Sequence, residues 1–295
     1  MKKLLCVLLA VVMLASLSIP ALAASNAPLY YVLLGDSIAE GYGVRNSNEA
    51  CYGRIVADTN GYIYQNFGRA AVDSCDLVNY LQEGSFYDRY YSIRACVAAA
   101  DIISLSVGAN DYLCYHDVYN LAFRAILGVN KAELNAIADA FYDNLCMIIN
   151  EIRALNPTAT LLVQKVYSIW YGLAGRAFDA AASRCNAVIE KYDREHPGTI
   201  LLCDITPAMN RHPENLADDC VHPNAKGNVA IAKIVLQQLY DLGLGAETEP
   251  VVNHPGIDYD LYAEENPDNP LKGKLFTVMV KILTGNGVNV FRRTA

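Results

Sequence analysis

Beyond residue 25 the apolar positions fall into two alternating patterns. Short, nearly continuous runs of Val, Ile, Leu and Tyr occupy Leu29–Leu34, Tyr62–Phe67, Asp101–Val107, Thr160–Val166 and Thr199–Asp204, each bounded by Gly, Pro, Asn or Asp. Runs that are continuous rather than alternating suit parallel strands covered on both faces. Between them lie longer stretches with helical spacing: Ala50–Asn60, Val72–Gln82, Lys131–Leu155, Ala174–Glu195 and Ala225–Tyr240. In Lys131–Leu155 the apolar stripe is Leu134, Ile137, Ala138, Phe141, Leu145 and Ile148, which recurs every three or four residues as one face of a helix does. It stops at Asn156-Pro157, where proline disfavours a helical residue before it. This alternation predicts a doubly wound α/β sheet. No internal repeat is visible.

Both ends depart from that pattern. Lys2 and Lys3 precede an apolar run from Leu4 to Leu17 broken only by Ser16, followed by Pro20 and then Ala21-Leu22-Ala23. A basic start, an apolar centre and a small-x-small site are the layout of a secretory signal peptide. Residues 1–23 are therefore expected to be removed after Ala23 and the protein to be exported. The run is shorter than the ~20 residues that cross a bilayer comfortably. A domain is expected over residues 28–243. Leu244–Pro270 then carries seven acidic residues, no Lys or Arg, and four prolines, and reads as an acidic linker or wrapping arm. Residues 271–295 reverse the sign, with Lys272, Lys274, Lys281, Arg292 and Arg293 and no acid, while Leu275, Val278, Met279, Ile282 and Leu283 keep helical spacing. A basic amphipathic stretch of this kind can touch an anionic envelope surface; the stronger expectation is that its apolar stripe packs back on the domain.

Composition narrows the partners. With 295 residues, 53% hydrophobic and 18% charged, the chain is neither disordered, collagen-like nor a coiled coil. Its 23 basic against 31 acidic side chains give a net charge of -8, and loss of Lys2 and Lys3 with the signal makes it -10. Binding a phosphate backbone needs clustered Lys and Arg, so nucleic acid is excluded. Cys6 leaves with the signal and eight cysteines remain, an even number that makes one or two disulfides an expectation. None are spaced C-x-x-C, so zinc and thioredoxin-like readings have no support.

In an open parallel sheet, function collects at the carboxyl ends of the strands. The first strand ends in Gly35-Asp36-Ser37, which places a hydroxyl in a turn leading to a helix with free backbone N–H groups beside it. The second ends at Gly68, where the absence of Cβ lets backbone approach a ligand. The third ends in Val107-Gly108-Ala109-Asn110-Asp111; Asn110 offers a side-chain amide, and Asp111 can hold the loop through local backbone bonds. Late in the domain, Asp219 precedes His222 by three residues, close enough to orient and charge-stabilise the ring. Together these pieces supply a nucleophile, a base, its orienter and oxyanion donors. His116, six residues after Asn110, could line the cleft, but the stronger expectation is a loop histidine making ordinary hydrogen bonds; His196, His212 and His254 are assigned no chemistry.

Through Gly-Asp-Ser37, Gly68, Gly108-Ala-Asn110-Asp and Asp219-x-x-His222, in that order, the sequence resembles the SGNH hydrolases, the GDSL-type lipases and esterases. The resemblance extends over roughly residues 28–243. It implies a flavodoxin-like three-layer α/β sandwich with a five-stranded parallel sheet. It also implies Ser37 as nucleophile, His222 as base, Asp219 as its partner, and an oxyanion hole made by Ser37 N–H, Gly68 N–H and the Asn110 amide. Asp36, Gly108 and Asp111 would support the loops, and no metal or other cofactor is called for. Two positions depart from the family pattern: Ala71 and Cys220 stand where the family often has glycine. The Gly-x-Ser-x-Gly pentapeptide of α/β-hydrolases is absent. The expected activity is hydrolysis of carboxylic esters, either short-chain or O-acetyl esters of carbohydrate or lipid and lysophospholipid esters. Twenty Tyr against seven Phe tilt the expectation toward carbohydrate, since a tyrosine ring stacks while its hydroxyl bonds. The competing expectation is a non-catalytic glycan- or cell-wall-binding protein on the same scaffold.

Overall fold

The computed structural model describes residues 27–44, 46–84, 92–168, 172–217 and 219–252. The expected signal segment, the rest of the acidic arm and the basic segment 271–295 lie outside the described residues. Each of the five apolar runs becomes a strand: β1 (Tyr30–Gly35), β2 (Ile63–Gly68), β3 (Ile102–Ser106), β4 (Thr160–Gln164) and β5 (Leu201–Cys203). All pair in parallel, in the order β2-β1-β3-β4-β5. Parallel neighbours require crossovers, and the helical segments provide them. In chain order these are α1 (Ser37–Glu40), α2 (Ser47–Ala50), α3 (Tyr52–Asn60), α4 (Ser74–Glu83), α5 (Ile93–Ala99), α6 (Ala109–Leu113), α7 (Val118–Ile126), α8 (Lys131–Leu155), α9 (Gly172–Glu195), α10 (Thr206–Met209) and α11 (Ala225–Asp241).

Side chains alternate across the sheet, so each strand feeds two cores. Val32, Leu34, Ile103, Leu105, Leu161 and Val163 face one side, under α4, α5, α8 and α9. Tyr31, Leu33, Ile102, Leu162 and Cys203 face the other, under α3 and α11. This is the three-layer sandwich expected from the sequence. The stripe on α8 is buried as its spacing requires, with Phe141, Leu145, Ile148, Ile149 and Ile152 inaccessible; each such side chain contributes about 1.5–3 kcal/mol on leaving water. The helix ends at Asn156, whose backbone turns extended before Pro157. Asn156 Nδ2 then donates to the carbonyls of Val97 and Ala100 at 2.9 and 2.7 Å, fastening α8 to α5.

Several expectations need correction. Ala50–Asn60 is broken by the extended backbone of Cys51, giving α2 and α3. The helix expected from Val72 starts at Ser74, because Asp73 caps it with a reciprocal bond to Asp76. The short helices α1, α2, α5, α6, α7 and α10 were not expected, since most are under two turns and carry little periodicity. The eight cysteines among the described residues all stand as free thiols rather than in the one or two disulfides expected.

Of the two readings of the acidic segment, linker or wrapping arm, its described start follows the second. Asn60 Oδ1 accepts the N–H groups of Ala246 and Glu247, Thr59 Oγ1 accepts that of Val251, and Tyr62 OH donates to the Leu244 carbonyl. Lys233 on α11 pairs with Glu249 at 2.7 Å. Residues 244–252 thus strap the carboxyl end of α3 to α11, at the edge of the sheet where the strands begin. Among the described residues no helix is long and apolar enough to cross a membrane.

Candidate active site

The site is assembled at the opposite edge, where the strands end. Gly35 closes β1 with φ +139°, and a Cβ there would lie 1.9 Å from the Ser106 carbonyl oxygen of β3. Only glycine takes that conformation at so close an approach. The chain then turns at Asp36, whose N–H donates to the Ser106 carbonyl at 3.0 Å. The Asp36 carboxylate caps α1 by accepting the Ile38 N–H at 3.0 Å, and it also accepts Ser106 Oγ–H at 3.1 Å. Burial pushes its carboxyl up to about 6, against the pull of those bonds and of His222. Ser37 follows as the first residue of α1, so its own N–H has no intrahelical acceptor.

The loop before α11 carries the histidine. Asn224 caps that helix by accepting the Gly227 N–H at 2.9 Å, and its Nδ2 donates to the carbonyls of Glu214 and Leu216. Tyr167 OH donates to the Val221 carbonyl at 2.7 Å. Inside this pinned loop, Asp219 Oδ1 accepts the N–H groups of Val221 and His222 at 2.9 and 3.0 Å, and Oδ2 accepts His222 Nδ1–H at 2.6 Å. With Nδ1 carrying the proton, Nε2 is the acceptor, and it lies 2.8 Å from Ser37 Oγ. Ser37, Asp219 and His222 are all buried to 9% exposure or less. Burial alone would raise the Asp219 carboxyl; the His222 charge, its ring hydrogen bond and the two backbone N–H donors outweigh that and hold it down at about 2. Residues 185 positions apart therefore meet in a hydroxyl–imidazole–carboxylate relay.

The expected oxyanion donors flank this relay less uniformly. A Cβ on Gly68 would lie 2.3 Å from Glu40 N, so glycine is required where β2 meets α1. The Gly68 N–H donates to Asn66 Oδ1 at 2.6 Å. Asn110 is buried on α6, and among the described residues its Nδ2 has one acceptor, the Val72 carbonyl at 2.9 Å. One amide hydrogen is left over. Gly108 takes φ +114° with the Phe141 ring of α8 against it. Beyond the local backbone bonding expected of it, Asp111 reaches Ser74 on α4, accepting both its hydroxyl and its N–H. Burial pushes the Asp111 carboxyl up to about 6. The two departures noted in the sequence, Ala71 and Cys220, both adopt left-handed backbone, φ 66° and 58°. They sit where glycine is favoured and carry the strain of its replacement.

Several neighbours escaped the sequence reading. Tyr42 lies against the His222 ring, centroids 4.8 Å apart. A Cβ on Gly43 would sit 2.1 Å from the Pro223 carbonyl oxygen, so Gly41-Tyr42-Gly43 is the strip that lets the histidine loop close over α1. The two glycines flanking an aromatic were the available signal. Of the other histidines, exposed His116 stacks on Tyr115, His196 stacks on Tyr192, and His212 pairs with Glu214. His254 lies outside the described residues. Among those residues no cluster of three or more His, Cys, Asp or Glu could hold a metal ion.

Comparison with known proteins bears on this arrangement. Residues 33–230 match the model of the GDSL-like Lipase/Acylhydrolase family. Among solved structures the chain is similar to a lipase from a goat rumen metagenome, at 18% identity and TM-score 0.54, covering 74% of this chain and 98% of that one. It is similar to an extracellular lipase from Streptomyces rimosus, at 16% identity and TM-score 0.55, covering 71% and 99%. A third is an acetyl-xylooligosaccharide esterase from Geobacillus, at 18% identity and TM-score 0.53, covering 76% and 97%. At these identities the likeness is one of fold. No curated protein matches the chain.

Proposed function

Since the chain belongs to the GDSL-like lipase/acylhydrolase family, we propose that it is an exported serine esterase acting through Ser37, His222 and Asp219. One observation carries this reading: His222 stands between Ser37 Oγ at 2.8 Å and Asp219 at 2.6 Å, with Nε2 free to accept a proton. A serine hydroxyl becomes nucleophilic when an imidazole takes its proton, and the imidazolium that results is stabilised by a buried carboxylate. Ser37 Oγ attacks the ester carbonyl while its proton passes to His222 Nε2. Collapse of the tetrahedral intermediate releases the alcohol, which takes that proton from Nε2. Water, deprotonated by the same nitrogen, then hydrolyses the acyl-serine.

Charge on the carbonyl oxygen is met by Ser37 N–H, the spare Asn110 amide hydrogen and Gly68 N–H, which adds the substrate oxygen to Asn66 Oδ1 as a second acceptor. A donor of this kind is worth about 3–4 kcal/mol of barrier. Short-chain or O-acetyl esters of carbohydrate are the substrates this reading favours, because Tyr42 presents an aromatic ring beside the base. Lipid esters are the other acyl class. Export after removal of residues 1–23 accords with the N-terminal sequence, and mass spectrometry of the protein recovered from medium would show whether the chain starts at Ala24.

The test is hydrolysis of p-nitrophenyl acetate by Ser37→Ala and His222→Ala. Each is expected to lose at least ~10³-fold in kcat while keeping its melting temperature within a few degrees. Undiminished turnover in either would end the proposal. Acetyl, butyryl and palmitoyl esters compared side by side then separate a carbohydrate acetylesterase from a lipase. Purified protein that bound glycans yet resisted labelling by an organophosphonate would favour the non-catalytic scaffold.

A further inference from the structure

The loops that carry Gly68 and Asn110 come from different strands, and something must hold them in register. We infer that Ser74 and Asp111 are a positioning pair that locks the loop after β2 to the start of α6 and so fixes the Asn110 amide; the inference rests on the serine-esterase reading above.

The geometry is specific. Ser74 is fully buried. Its hydroxyl donates to Asp111 Oδ1, and its N–H donates to Asp111 Oδ2 at 3.2 Å. One position earlier on α6, Asn110 Nδ2 donates to the Val72 carbonyl at 2.9 Å. Consecutive residues of α6 therefore grip residues 72 and 74, the stretch that leads from Gly68 into α4. The grip is backed from the long helix α8. Asn144 Nδ2 donates to Ser74 Oγ at 2.8 Å, and Phe141, three residues earlier and so on the same helical face, packs on Gly108.

Helix formation does not need this arrangement. Asp73 and Asp76 already cap α4 by a reciprocal pair of bonds, so Ser74 is spare as a cap. Asp111 is only partly exposed, and removing a carboxylate from water is costly unless its oxygens are occupied. Apolar residues of the same shape often stabilise such a site as well or better. What the polar pair adds is direction. Bidentate acceptance from one residue's N–H and O–H fixes the angle of α6 against the Gly68 loop, and with it the aim of Asn110.

A double-mutant cycle tests this on the full-length protein. Asp111→Asn and Ser74→Ala are each expected to lower kcat for p-nitrophenyl acetate about tenfold while KM stays within about twofold, the split expected for an interaction expressed in the transition state. Asn110→Ala should cost more, and Asp111→Asn added to Asn110→Ala should cost nothing further, because the pair acts through that amide. Multiplicative losses in the double variant would overturn the inference, as would unchanged kcat in folded single variants. Failure of both single variants to fold, judged by circular dichroism, would also overturn it, since the pair would then be a requirement of the fold. The parent reading is checked separately: turnover surviving Ser37→Ala defeats the esterase itself, whereas an inactive Ser37→Ala with a multiplicative cycle defeats only the positioning pair.

Discussion

Replacing Asp219 by Asn removes a charge while leaving its shape. Asn Oδ1 can still accept the N–H groups of Val221 and His222, at 2.9 and 3.0 Å in the native loop, so the loop should keep its course. The other oxygen becomes an amide, which donates toward Nδ1 where the carboxylate had accepted. The imidazole then carries its proton on Nε2, which faces Ser37 Oγ at 2.8 Å and can no longer take the serine's proton. Two magnitudes follow. The Asp219 carboxyl is held at about 2 instead of 3.8, a net stabilisation of its charge on the order of 2 kcal/mol in the folded protein. The wrong tautomer should lower kcat/KM by roughly 10³–10⁴-fold, about 4–5.5 kcal/mol of barrier. The assay is p-nitrophenyl acetate hydrolysis at pH 7–8, with the melting temperature as a fold control. An acid titration gives an independent check. A depressed carboxyl contributes stability that is complete above about pH 4 and is lost as pH falls through about 2; Asp219→Asn should lack that acid step. Activity within tenfold of wild type in a folded Asp219→Asn protein would refute the reasoning.

Asp36 makes the opposite pH prediction. Its folded carboxyl is raised to about 6 by burial, so its contribution to stability is complete below about pH 4 and is lost as pH rises through about 6, by about 3 kcal/mol; Asp36→Asn should flatten that segment of a melting-temperature profile between pH 4 and 7. Ala71 is exposed and left-handed, φ 66°, a conformation costing about 1–2 kcal/mol. Ala71→Gly should relieve it and, after the greater unfolded-state freedom of glycine, raise stability by about 0.5–1 kcal/mol in urea unfolding.

Much of this architecture was legible before any coordinates. Buried parallel strands must be apolar on both faces, so Tyr30–Gly35 and Ile102–Ser106 stand out as unbroken runs, and α8 is long enough to show its stripe and its stop at Asn156-Pro157. Ser37, Asp219 and His222 were legible through four short motifs taken together and in order, not through any one of them. What stayed hidden were side-chain bonds between distant segments. Ser74 meeting Asp111, and Tyr42 lying on His222, are separated by 37 and 180 residues, and no periodicity encodes such meetings. The cysteines misled in another way, because an even count constrains nothing about whether the sulfurs can approach. The left-handed turns at Ala71 and Cys220 were visible only as missing glycines.

The strap at residues 244–252 has a bearing on how the molecule can be handled. It is sewn to Thr59, Asn60 and Tyr62, at the pole where the strands start, and the relay opens at the pole where they finish. Val252, the last described residue of the strap, therefore lies at the rear of the molecule. A surface bead, a fluorophore or a second protein spliced on at Val252 would grip it like a handle, with the Ser37 pole turned outward to the solution.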